Sequence, residues 1–137
     1  MGKARLPVKG ADAAPKDSCG ERHQGGDEIR RLADLAESLH SRSWDVMEIV
    51  AEAASNDPAI AELHDQRRRA RLANQTTVAK RLAELGALRD GTSVDTAADL
   101  IWFYTAPENY RMLVIERNWP AKRYRSWFRS AVATILT

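Results

Sequence analysis

Three histidines and one cysteine are the residues of this sequence best suited to proton transfer, metal binding or nucleophilic attack. Their spacing assembles none of these. His23 falls in a stretch without hydrophobic periodicity. His40 closes an apolar-striped segment, where an imidazole suits the carbonyl end of a helix. His64 is followed at once by Asp65, and neighbouring residues on a helix do not face each other. Cys19 stands alone, so no internal disulfide framework can form, and it reads as an incidental thiol. No HExxH, CxxC, GxSxG or phosphate-cradling glycine loop is present. Glu48 and Glu52 stand four residues apart and could share a helix face as paired carboxylates, but they read as part of a solvated face. With no nucleophile–base pair and no metal set, we expect a protein that is not an enzyme and takes no cofactor or metal.

The remaining candidates are arginines and aromatic residues. Arg67, Arg68, Arg69 and Arg71 form a basic run, but helical spacing aims them in different directions, which describes a mostly solvated face. Arg67 and Asn74 fall on an otherwise apolar stripe. There they could supply the few polar groups that orient a ligand in an apolar pocket. Trp44, Met47 and Trp102 are the large side chains expected to line such a pocket. Near the C-terminal end, Lys122, Arg123, Arg125 and Arg129 interleave with Tyr124, Trp127 and Phe128. The aromatics keep to the apolar stripe rather than standing among the cations, and the net charge is only +2. A nucleic-acid surface is therefore not expected.

The elements that would hold these residues are helical throughout. Residues 1–26 are poor in large apolar side chains and read as a disordered tail. From Asp27 to Ser41, Ile29, Leu32, Leu35, Ala36 and Leu39 make one stripe. Ser43 can cap a second helix reaching Ala54, with Trp44, Met47, Val50, Ala51 and Ala54 together. Asp57-Pro58 is a strong start signal, a capping carboxylate before proline at the first helical position. That third helix runs to about Leu85 and stops at Gly86, with Ile60, Leu63, Arg67, Ala70, Asn74, Val78, Leu82 and Leu85 on its inward stripe. Ser93, Pro107 and Pro120 start three more helices, and Asn118 can end the one before Pro120. No alternating strand pattern interrupts this order. The expectation is an all-α domain of about six helices over residues 27–137.

Residues 93–137 hold three of the four tryptophans, both phenylalanines and all three tyrosines. The run Thr105-Ala106-Pro107-Glu108, Tyr110-Arg111, Glu116-Arg117-Asn118-Trp119, Arg123-Tyr124 and Trp127 resembles the end of the regulatory domain of TetR-type bacterial transcription regulators. Asn118 stands where glycine is common in that family. The resemblance covers roughly residues 27–136. It implies a TetR-like C-terminal bundle whose last two major helices pair with those of a second subunit in a four-helix interface. It also implies that the preceding helices enclose a site for an unidentified small apolar ligand. Carried onto this chain, the dimer interface would use Tyr110, Leu113, Trp119, Tyr124, Trp127, Phe128 and Ala131. The ligand would meet Trp44, Met47, Arg67, Asn74 and Trp102.

The family's DNA-reading helix-turn-helix domain has no counterpart in this sequence. The Ser41-Arg42-Ser43 junction lacks the glycine-containing turn of such a motif. We therefore expect the ligand-sensing and dimerising part of a TetR-type transcription regulator, with no direct DNA binding by this chain alone. Partners would be a second copy or an intact TetR-type regulator in a heterodimer. The alternative is a helical interaction module that dimerises with itself or with an intact regulator and binds no ligand. No apolar run follows Met1, and the longest apolar stretch falls well short of the ~20 residues a spanning helix needs. With a single cysteine, a cytoplasmic protein with no membrane association is expected.

Overall fold

The computed structural model describes residues 18–137, and every described segment of regular structure is helical. Four α-helices have eleven residues or more: α1 (Ser18–Ala54), α2 (Pro58–Glu84), α3 (Val94–Tyr104) and α5 (Ala121–Ala133). Between α3 and α5 lies a single short turn, α4 (Pro107–Tyr110), which runs directly into a π-helical turn, Arg111–Glu116. The all-α class stands, and the expected count of about six does not. Among the described residues no helix is long and apolar enough to cross a membrane.

The count falls because the first two expected helices are one. The hydroxyls of Ser41 and Ser43, expected to break the chain, turn back onto the carbonyls of Ser38 and Leu39 at 3.0 and 2.7 Å. A serine that bonds the preceding turn stays inside a helix instead of capping a new one. At 37 residues α1 is about 55 Å long at the usual rise. It also begins earlier than expected. Residues 18–26, assigned to the disordered tail, are helical, whereas residues 1–17 lie outside the described part. Gly25 shows why this end can pack without large side chains. A Cβ there would sit 2.7 Å from the Cβ of Ala87, so only glycine lets α1 approach that turn closely.

The other boundaries follow the local chemistry. Asp57 caps α2 by accepting from the amides of Ala59 and Ile60 at 2.9 and 3.4 Å, with Pro58 at the first position. The C-terminus of α2 closes with the paired bonds of a Schellman motif. Ala87 N–H donates to Leu82 O and Gly86 N–H to Ala83 O, with Gly86 at φ +66°. Ser93 caps α3 through the Thr96 amide at 3.1 Å. Asn118, at φ +56°, ends the π-helical turn in the left-handed conformation that asparagine tolerates better than most residues. Residues 87–89 then pair with 135–137. Arg89 N–H donates to Ile135 O at 2.8 Å and Thr137 N–H to Ala87 O at 2.9 Å.

The core joins α1, α2, α3 and α5 through Ile29, Ala33, Ala79, Leu82, Ala97, Ala98, Ile101, Phe128 and Val132. The buried residues of α2 are Gln75, Ala79 and Leu82; of the expected stripe, Leu82 and Leu85 are buried and Val78 packs against the core, whereas Leu63, Arg67, Ala70 and Asn74 are exposed. The displacement has a steric cause. Ala79 on α2 lies in one cluster with Ala97 and Ala98 on α3, and small residues let two helices approach closely. A hydropathy pattern weights alanine too lightly to reveal such a seam. On α5, Tyr124, Phe128 and Val132 are fully buried, and Arg125 reaches across to Asp34 and Glu37 of α1 at 3.6 and 3.4 Å.

Candidate functional site

A cleft opens where the C-terminal half of α1, the N-terminal half of α2 and the short α4 meet. It has two adjoining lobes of about 320 and 300 Å³ that share Met47, His64, Pro107 and Glu108. Volumes near 300 Å³ stand at the small end of ligand-sized pockets. One lobe adds Trp44, Glu48, Ala51, Glu52 and Arg111. The other adds Leu39, His40, Ser43, Arg67, Arg68 and Arg71. Trp44, Met47 and Ala51 reach the cleft because α1 continues unbroken past Ser43 and carries them over α4. Pro107 and Glu108 reach it because proline at the first position starts α4 there.

The floor of the arginine-rich lobe is a buried polar network. His40 is 5% exposed, and its Nε2 lies 2.8 Å from the Thr105 carbonyl. A carbonyl only accepts, so Nε2 carries the proton and donates. Burial holds the His40 pKa below its usual value. The Thr105 carbonyl opposes that shift, Arg71 adds to it and Glu108 works against it. The Tyr110 ring packs 5.7 Å away, centroid to centroid. Arg71 Nη1 donates to Trp102 O at 2.7 Å and to Thr105 Oγ1 at 3.1 Å. Burial lowers the Arg71 pKa, with Glu108 pulling the other way, yet a guanidinium stays charged in any protein setting. Arg71 and Arg68 both lie over the Trp102 ring, at 4.8 and 5.4 Å from its centroid, a cation–π arrangement.

Of the residues expected to meet a ligand, Trp44, Met47 and Arg67 line the cleft. Trp102 does not. It lines a separate shallow groove with Asp65, Arg68, Arg69 and Leu72, and it serves the cleft from behind by holding Arg71. Asn74 is exposed and lines neither lobe, because the inward face of α2 passes through Gln75 instead. His40, His64, Arg71 and Glu108 were not expected here. The sequence signal for Arg71 was present in the basic run, but the direction of one arginine among four is set by its distant partners.

The expected interface residues divide. Tyr110, Tyr124 and Phe128 are 4%, 0% and 0% exposed within the single chain. Tyr110 and Tyr124 meet edge to face at 5.2 Å. These three belong to the chain's own core and offer no area to a second subunit in this conformation. Leu113, Trp119, Trp127 and Ala131 are half-buried. The large apolar side chains that are exposed lie elsewhere: Leu35, Val46 and Ile49 on α1 and Leu39 at the rim of the cleft, with Leu63, Phe103 and Met112.

Among the described residues, no group of three or more His, Cys, Asp or Glu side chains could hold a metal ion. Compared with models of known protein families, with curated proteins and with solved structures, the chain matches none.

Proposed function

We propose that this chain is the ligand-sensing and dimerising part of a TetR-type transcription regulator, without DNA binding of its own. The observation that carries this is the cleft between α1, α2 and α4, where Trp44, Met47 and Arg67 come together over a buried polar floor. Its lining is mainly apolar, with a few polar groups that could fix an orientation, as ligand sites commonly have. The order of Thr105-Ala106-Pro107-Glu108, Tyr110-Arg111 and Glu116-Arg117-Asn118-Trp119 supports the family resemblance.

The mechanism would be a population shift. An occupant that contacts α4 and α1 together favours whichever arrangement of the two fits it better, by no more than its differential affinity. Because α4 leads through the π-helical turn into α5, the shift would reach the half-buried Trp119, Trp127 and Ala131, where a second subunit could respond. That subunit is a second copy or an intact TetR-type regulator.

Light scattering after size exclusion, together with thermal unfolding against a panel of small apolar compounds, tests this. A dimer that a cleft-sized compound stabilises is the expected outcome. A monomer that no compound stabilises would refute the proposal. A dimer indifferent to every compound would favour the interaction module, which the exposed apolar side of α1 also supports.

A further inference from the structure

The cleft is electrically lopsided. The lobe built on α2 presents Arg67, Arg68 and Arg71 and two histidines against one carboxylate, Glu108. The lobe built on α1 presents Glu48, Glu52 and Glu108 against Arg111 and His64. Arg111 is itself occupied, at 3.0 Å from Glu48 and 3.3 Å from Glu116. Arg67, Arg68 and Arg71 form no ion pair among the described residues, as is also true of Arg42, Arg89, Arg117, Arg123 and Arg129, but these three stand together on one lobe of a cleft. Arg67 makes only a 4.0 Å contact with the Met47 sulfur, which leaves most of its five N–H donors unused. Trp102 holds the other two guanidinium groups in place from behind.

Three arginines facing a single carboxylate at one end of an apolar trough define a ligand with a charged head and an apolar body. We infer that the cleft takes a small amphipathic anion, with its carboxylate or phosphate against Arg67 and Arg68 and its apolar body along Met47, Trp44 and Pro107. This rests on the cleft being a ligand site, and it replaces the expected purely apolar ligand with a class of stated charge. A guanidinium fork matches either oxyanion with two parallel hydrogen bonds. The excess positive charge of the lobe, which Glu108 offsets only in part, would be neutralised on binding. An amphipathic cation would meet the wrong sign at that end. A neutral molecule of the same shape would leave the donors of Arg67 in water and gain only the apolar contact.

Octanoate, octyl phosphate, octanol and octylamine, titrated below their aggregation limits and followed by calorimetry, separate these cases. Octanoate or octyl phosphate is expected to bind at least tenfold more tightly than octanol and octylamine, and which of the two binds better names the head group. Their affinity should fall with added salt. Arg67→Gln should weaken octanoate and octyl phosphate several-fold more than octanol, with the remaining preference for the anion supplied by Arg68. Because Arg67 is exposed and makes no core contact, this variant should fold as the parent does, which its circular dichroism spectrum checks. Equal binding of octanol, octylamine and octanoate would overturn the anionic class and leave the ligand cleft standing. Absence of binding by all four would overturn the cleft as a ligand site as well.

Discussion

Two adjacent glycines should respond in opposite directions to the same substitution. Gly25 and Gly26 both lie inside α1. Alanine in place of a helical glycine restricts the unfolded chain and stabilises by about 0.5–1 kcal/mol where there is room. At Gly26 nothing lies within 4 Å of the added Cβ. Gly26→Ala should therefore gain that full amount, or about 2–4 °C in Tm for a chain of this size. At Gly25 the new Cβ would meet the Ala87 Cβ at 2.7 Å. Neither atom can swing away, because each is fixed directly to the backbone. Overpacking of this kind costs about 1–3 kcal/mol, which offsets the helical gain and leaves Gly25→Ala neutral to about 2 kcal/mol less stable. The two variants should differ by about 1–3 kcal/mol, well above the error of urea titrations followed at 222 nm. In a double-mutant cycle, Ala87→Gly should recover part of the loss in Gly25→Ala, since the two sites share one contact. Equal effects of Gly25→Ala and Gly26→Ala would mean that this end of α1 does not pack on the Ala87 turn, and the account of its helicity would fall.

Two further outcomes follow from burial. His40 has a lowered pKa when folded, so the unfolded chain binds its proton first as pH falls below about 6.5. Its contribution is neutral above that pH, turns destabilising as the unfolded histidine protonates, and levels off below the folded pKa. His40→Gln should flatten the loss of Tm between pH 7 and 5, and an unchanged pH slope would contradict the buried neutral imidazole. Phe128→Ala should cost about 3–5 kcal/mol of unfolding stability with little effect on the dissociation constant of any dimer, as measured by sedimentation velocity across a dilution series; selective loss of the dimer would instead place Phe128 at an interface.

What could be read from the sequence was mostly local. Asp57 before Pro58, Ser93 before α3, and Asn118 before Pro120 each act through atoms within a few residues, so their types alone announce the boundary. The Ser41-Arg42-Ser43 junction failed as a signal because a serine hydroxyl serves equally well as a cap or as a bond to the preceding turn. The strongly apolar last third was evident, but the pattern of Tyr124 and Phe128 is the same whether they face the chain's own core or a partner. The cleft was half legible. Trp44, Met47 and Arg67 stood out as large or anomalous side chains on helical stripes. His40 and Arg71 acquire their roles from Thr105 and Trp102, 65 and 31 residues away, and no local pattern carries such a pairing.

The pairing of residues 87–89 with 135–137 has a topological consequence. It ties both ends of one segment together, so α3, α4 and α5 sit on a closed ring, while α1 and α2 form a hairpin outside it. The cleft is the seam between hairpin and ring, with Trp44, Met47 and Arg67 on one bank and Pro107 and Glu108 on the other. An occupant of the seam would bear on the ring as a whole rather than on α4 alone, because a closed loop cannot take up strain by letting one end go.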